Sequence, residues 1–380
     1  MKHKNKIFLF PLIMFMAASC IGPIGSQTVS AGVAKTTNGG ADWTLSNTVV
    51  TTTEKGKKTT TKTSEDLLGT DVQVLQFSPA SSEHLVAGTN AGVYVSDNSG
   101  DSWRQILAKT EVNAIAIDAA NSEHIYVAGL VAGNGKVLES KNGGKSWEEI
   151  YNEVSPDNAV QALVINPDNA RELVIGMASG NVIKSADGGR SWTLLQNFED
   201  AILQLLWQKS GLYVLAKKRG LYKSTDGGSR FAVLTSSLLH LDELRRQPSS
   251  SDDGSIPDVN LPTESVSSFN RFVVSPRNAS LIYVTANNGL FKSTTDGATW
   301  TYITLPLKSS SDGAAVQAST LALGGQDSIV LAAAGNTVYK SLNSAGSWQV
   351  QTIATTAKVQ YILVDSRLSQ VAYIGLDGGH

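Results

Sequence analysis

The chain has a single cysteine, Cys20, in 380 residues, so it can form no internal disulfide and build no thiolate metal cluster. Histidine is nearly as scarce. Of the five, His3 and His380 lie at the ends, His240 falls in a loop, and His84 and His124 occupy equivalent turns, where they read as turn residues. No metal site and no cofactor are expected. Charged residues make up only 17% of the chain and the net charge is −2, a balance that speaks against nucleic-acid binding. Proline is sparse at 10 and glycine plentiful at 34, as suits a chain with many short turns. The one sustained apolar run is N-terminal, about 13 residues over 7–19, too short to span a bilayer comfortably.

What the chain has in abundance is one octapeptide. SKNGGKSW (140–147) and SADGGRSW (185–192) are its clearest copies, and SDNSGDSW (96–103) is close behind. Weaker copies are TTNGGADW ending at Trp43, STDGGSRF at Phe231, STTDGATW at Trp300 and SLNSAGSW at Trp348. The terminal aromatics fall 60, 44, 45, 39, 69 and 48 residues apart. A fixed mark at a period near 44 signals a repeat array.

One period, 112–150, reads as four short strands: VNAIAID, HIYVAGL, KVLES and WEEI, separated by turn clusters and without helical periodicity. Four antiparallel strands per period make one blade of a β-propeller. The octapeptide then occupies the hairpin between the third and fourth strands. There an Asp or Asn caps the turn, glycine supplies positive φ, and the aromatic packs on the neighbouring blade.

At these residues the chain resembles the Asp-box, or BNR, repeat family, whose pattern is Ser/Thr-x-Asp-x-Gly-x-Thr/Ser-Trp. The resemblance covers nearly everything from about Gly32 to the end. The matched capping and aromatic pairs are Asn38 and Trp43, Asn98 and Trp103, Asn142 and Trp147, Asp187 and Trp192, Asp226 and Phe231, Asp296 and Trp300, and Asn343 and Trp348. The resemblance implies that the box is a structural device on the face opposite the ligand site, so Asp187 and Asp226 are not expected to be catalytic.

The chain ends suggest how the ring closes. VQYILVD (359–365) and QVAYIGLD (370–377) read as a first and a second strand, after which the chain stops. The missing third and fourth strands are available in GVAKTTNGGADWTLSN at the other end. The 32 residues after Trp348 and the 12 over 32–43 together make one 44-residue period. The expectation is an all-β, seven-bladed propeller of four-stranded antiparallel blades, closed by a blade shared between the N- and C-termini.

The domain reading follows. Residues 1–19 form a signal peptide with a basic start, MKHKNK. Ala17-Ala18-Ser19-Cys20 resembles a bacterial lipobox, with cleavage before a lipidated Cys20; cleavage after Ala31 is the alternative. Residues 20–31 are a linker and 32–380 the propeller, with insertions at about 48–70 and 236–268. The low complexity of the first insertion, TTTEKGKKTTTKT, favours disorder. An exported, lipid-anchored monomer of the cell envelope is expected.

Both insertions connect one blade to the next and so are expected on the face away from the boxes, where a binding site is also expected. Lys217, Lys218 and Arg219 lie in a turn on that face, Arg245 and Arg246 in the second insertion, and Arg271 at the start of the next first strand. The fold would gather these six cations near the fourth and fifth blades. Either they form an anion site, or Asp242, Glu243, Asp252 and Asp253 neutralise them.

Bacterial sialidases share the repeat, but their Arg-Ile-Pro motif is absent; Ser255-Ile256-Pro257 is the nearest string. The first strands offer few carboxylates beyond Asp118 and Asp365, which read as turn formers, so no catalytic pair can be assembled. Two-propeller xyloglucan hydrolases are related by the box, but this chain carries one ring. Closer in size and export signal are the single-propeller photosystem II assembly and stability factors, non-enzymatic scaffolds whose binding face carries an arginine patch. The sequence thus suggests a scaffold that binds a protein partner on the face away from the boxes. The alternative is a sialidase-like glycoside hydrolase or a degenerate glycan-binding propeller.

Overall fold

The structure, a computed structural model, describes residues 31–55, 58–64, 67, 69–240, 265–306 and 316–379. Seven four-stranded antiparallel sheets form the ring. Blade one runs 72–108, in strands Val72–Ser78, Ser81–Thr89, Gly92–Ser96 and Arg104–Ala108. Blades two to six follow at 111–152, 160–197, 202–233, 269–303 and 320–352. Blade seven is shared. Its first two strands, Lys358–Val364 and Ala372–Asp377, are C-terminal, and its last two, Gly32–Thr36 and Thr44–Leu45, are N-terminal. The seam is in continuous register from Gly32 opposite Leu376 to Thr36 opposite Ala372.

The burial gradient across each blade follows the sequence. Second strands such as Gly211–Ala216, buried after its first residue, and Ile282–Ala286, buried throughout, are covered because blades pack on both of their faces. Fourth strands such as Glu148–Asn152 are largely exposed, because they form the rim. First strands of neighbouring blades touch around the channel. The apolar interior is divided into seven clusters, one at each blade-to-blade interface. Blades approach closely at second-strand glycines. A Cβ on Gly88 would lie 2.5 Å from Val112 of blade two, and one on Gly375 would lie 2.7 Å from Val72 across the seam.

The box hairpins share one hydrogen-bond scheme. The leading hydroxyl accepts the backbone N–H four residues on, as Ser185 does from Gly189 and Ser140 from Gly144, both at 2.8 Å. The Asp or Asn two residues after it accepts another. Asn98 and Asn142 take the N–H of Ser102 and Ser146, and Asp187 and Asp226 take those of Ser191 and Arg230, all at 2.9 Å. Asn38 and Asn343 do the same for Asp42 and Ser347. Blade five departs from the expectation. Its capping residue is Thr295, whose hydroxyl accepts the N–H of Thr299 at 2.9 Å, and not Asp296. Asp296 stands one position later at φ 54° and turns its carboxylate to Lys223 of blade four, 2.5 Å away.

The box tryptophans fasten each blade to the one before it. Trp103, Trp147, Trp192 and Trp300 donate their indole N–H to the carbonyls of Ser46, Ile106, Ile150 and Leu234, at 2.7, 3.1, 3.2 and 3.0 Å. Phe231 has no such donor and packs edge-on against Phe198. Trp43 and Trp348 have buried indole nitrogens with no partner among the described residues.

The described part of the first insertion contains a hairpin. Strands Val49–Lys55 and Lys58–Ser64 form an antiparallel hairpin in which threonines dominate. β-Branched threonine favours extended backbone, a local preference that low complexity hides. The base of the hairpin is anchored at the seam. Trp103 donates its backbone N–H to Thr48 and accepts that of Val50, while Val49 and Leu67 are buried beside Val33 and Val72.

Candidate functional site

On the face away from the boxes, the sequence of blade four builds a turn between strands Gly211–Ala216 and Gly220–Ser224. Its three residues, Lys217, Lys218 and Arg219, are exposed. The backbone beneath them is fixed from three directions. Lys217 donates its N–H to Ala201 (2.9 Å) and accepts that of Phe269 from blade five (2.7 Å). The Asp200 carboxylate accepts the N–H groups of Lys218 and of Arg219, the latter at 3.1 Å. Arg219 also reaches Glu199 at 3.2 Å in an exposed, weak pair. Glu199 and Asp200, from the connection into blade four, are therefore the acids that partly balance this turn.

The bond from Phe269 joins the turn to strand Phe269–Val274, which carries Arg271. The arginine itself goes elsewhere. Its guanidinium lies over the ring of Tyr361 in blade seven, 4.5 Å from the ring centre, inside the central channel. The structure thus separates the cations into a rim turn and a channel residue. Arg245 and Arg246 lie outside the described residues, as do Asp242, Glu243, Asp252, Asp253 and the Ser255-Ile256-Pro257 string. From that insertion the structure shows a short helix, Ser236–Leu239, and the buried Leu238 and Val266 packed at blade five.

A repeated device at the channel mouth went unread in the sequence. In six inner strands the ladder carries an extra residue near its start: Gln73, Asn113, Gln161, Leu203, Asn270 and Gln360. Such bulges bend a strand and re-aim its side chains. Asn113 donates to Val160 of blade three at 3.1 Å and Asn270 to Ala318 beside blade six at 3.2 Å, stitching neighbouring inner strands together. The signal was visible as an apolar residue followed by Gln or Asn at the head of most first strands.

An ionisable network with catalytic residue types lies on the box face, between blades two and three. His124 faces two carboxylates, Asp118 at 3.3 Å and Glu139 at 2.7 Å, and Lys141 lies 3.0 Å from Glu139. His124 is therefore more than a turn residue, whereas the exposed His84 pairs only with Asp97, at 2.9 Å. Bonds from His124, Lys141 and Tyr126 hold the Glu139 carboxyl below its ordinary value even though burial, the largest influence, opposes them. Asp118 also accepts the N–H of Ala120, and Asp365 those of Arg367 and Leu368, so both cap turns. Among the described residues no cluster of His, Cys, Asp and Glu has the geometry of a metal site.

The model of the Sortilin-Vps10 family (sortilin, neurotensin receptor 3) matches residues 91–201, less than half of the chain. No curated protein matches the chain. Among solved structures, the chain is similar to the GH74 xyloglucanase of Xanthomonas campestris, with TM-score 0.62 and 17% identity, over 82% of this chain and 51% of that one. It thus spans about half the length of that enzyme. It is also similar to YCF48 bound to D1 peptide (TM-score 0.57, 13% identity, 80% of this chain and 93% of that one). The WD40 repeats of RRP9 match at TM-score 0.55 and 10% identity, over 86% and 97% of the two chains. At these identities the likeness establishes the propeller fold, which hosts both enzymes and binding proteins.

Proposed function

We propose that the ring is a non-enzymatic scaffold that binds an acidic protein partner on the face away from the boxes, at blades four and five. The observation that carries this reading is the turn of Lys217, Lys218 and Arg219. Three exposed cations stand on a backbone already fixed by Ala201, Asp200 and Phe269. A loop ordered before binding loses less entropy when a partner arrives. YCF48, a single propeller of similar size, has been captured with a peptide, which supports a binding role for such a ring.

Export is part of this reading. The N-terminal segment carries the signal pattern, with Cys20 as the site of lipid attachment; residues 1–30 lie outside the described residues. A second reading, a glycan-binding or glycan-hydrolysing propeller, draws its support from the likeness to the xyloglucanase.

The test uses acidic and basic peptides alongside xyloglucan oligosaccharides. Acidic peptides are expected to bind in a salt-dependent way. Reversal of all three charges (Lys217→Glu, Lys218→Glu, Arg219→Glu) should weaken binding at least ~10-fold and flatten the salt dependence. Unchanged peptide binding by the reversed variant would defeat the proposal, and turnover of the oligosaccharide would favour the second reading.

A further inference from the structure

Among the described residues, the channel holds a cation with no carboxylate paired to it. The solvent exposure of Arg271 is intermediate, and its guanidinium lies inside the ring over Tyr361. Burial is the main influence and pulls the guanidinium below its ordinary value, while the Tyr361 hydroxyl partly offsets it; no carboxylate enters that balance. A guanidinium has five N–H donors, and one phenol oxygen accepts at most two of them. A buried charge left unpaired is costly. Elsewhere partly buried lysines find partners, either acids, as Lys223 with Asp296, Lys184 with Glu172 and Lys136 with Glu149, or backbone carbonyls, as Lys292 with Ser344 and Lys340 with Gly39.

Beside Arg271 is a pocket of about 120 Å³, lined by Tyr361, Asn113 and Gln161 and by the apolar Ile115 and Leu163. These residues sit in the opening turns of their inner strands, which begin at 111, 160, 269 and 358. In the blade topology those ends lie opposite the boxes, so the pocket opens toward the proposed binding face. Its volume equals roughly four water molecules at ~30 Å³ each. That suits a three-atom anionic head with a short carbon stem.

We propose that this pocket binds a carboxylate. Arg271 grips both oxygens through two parallel N–H bonds, the amides of Asn113 and Gln161 complete the polar side, and Ile115 and Leu163 receive the stem. A single cation against an apolar wall matches a monoanion and leaves a phosphate dianion under-compensated. The site rests on the proposed function only for the choice of face. The carboxylate has two sources, a free small acid or a peptide end, and the probes separate them.

The experiment titrates the full chain with propionate, followed by NMR of the arginine side-chain N–H signals, and with a tetrapeptide bearing a free or an amidated C-terminus. Saturable propionate binding is expected, weakened at least ~10-fold in Arg271→Gln because the bidentate pair is gone. Ala114 also lines the pocket, and Ala114→Leu, which takes up pocket volume and leaves the guanidinium intact, should weaken it as much. A free peptide that outcompetes propionate while its amide does not would identify a peptide end. A free peptide that binds no better than propionate would identify a free acid, and equal binding of the peptide and its amide would overturn the assignment. Absence of saturable binding in the wild type, unchanged binding in Arg271→Gln, or tighter binding of inorganic phosphate would each overturn the assignment. The variant with reversed charge at 217–219 should bind propionate like the wild type, so failure of the rim reading and failure of the channel site are distinguishable.

Discussion

Trp103 is the most deeply buried of the box tryptophans that donate to the preceding blade, and its removal tests how blade one is fastened to the shared blade. It is 1% exposed and donates its indole N–H to Ser46 in the shared blade. The same box bonds across the seam through Ser99, which accepts the Tyr373 hydroxyl at 2.7 Å, and through Asp101, which pairs with Lys35 at 3.1 Å. Trp103→Ala removes a fully buried aromatic and should cost about 3–5 kcal/mol. Trp103→Phe keeps most of the apolar volume but orphans the buried carbonyl of Ser46, a penalty of about 1–3 kcal/mol. Trp43→Phe is the control. Its indole nitrogen is buried with no partner among the described residues, so losing the donor should cost nothing and relieve an unmet hydrogen bond. Urea unfolding followed by far-ultraviolet circular dichroism, analysed at constant m, would compare the three. The seam argument predicts Trp103→Phe to be the worse of the two phenylalanine variants by about 1 kcal/mol or more. Equal losses in the two would refute it.

Two further outcomes follow from the boxes and from the N-terminus. The Asp187 carboxylate accepts the hydroxyl and N–H of Ser191 and the hydroxyl of Ser185, which pull it down to about 2. A carboxylate lowered on folding stabilises the fold above the ordinary value near ~4, and that contribution is lost as pH falls through about 2. Asp187→Asn, the residue found at Asn142, should keep the turn and make stability less steep between those limits; an identical acid slope in both proteins would contradict this. For the anchor, Cys20→Ala should release the protein from the membrane fraction or leave its precursor uncleaved, as read by fractionation and intact mass. A mature N-terminus at Gly32 would instead show a freely released protein.

Much of the fold was legible because its periodic mark is a local device. A hydroxyl, an Asp or Asn two residues on, and a terminal aromatic are read without knowing anything distant, so the octapeptides gave the blade count and the shared blade. Where the alignment was loose, the reading slipped. In STTDGATW the eye takes Asp296, while the hydrogen bond depends on spacing from Ser293 and selects Thr295. The hairpin at 49–64 is hidden from a reading by composition, which reports complexity and charge, whereas threonine branching and the anchor on Trp103 favour extended strands.

The channel belongs to a different class of information. That Arg271 stands near the start of a first strand is a matter of sequence. That it turns away from Lys217, Lys218 and Arg219 and lies over Tyr361, two blades away in the ring, follows from the extra residue at Asn270 and from closure of the ring. The pairing of His124 with both Asp118 and Glu139 likewise depends on three strands meeting in register. Sequence by itself determined the repeat, the blade and the closing seam, since these rest on contacts between neighbours in the chain or on a single period. Only the tertiary structure decided which charged side chains meet and which are left unpaired, because those contacts join residues from separate strands and blades through the curvature of the ring.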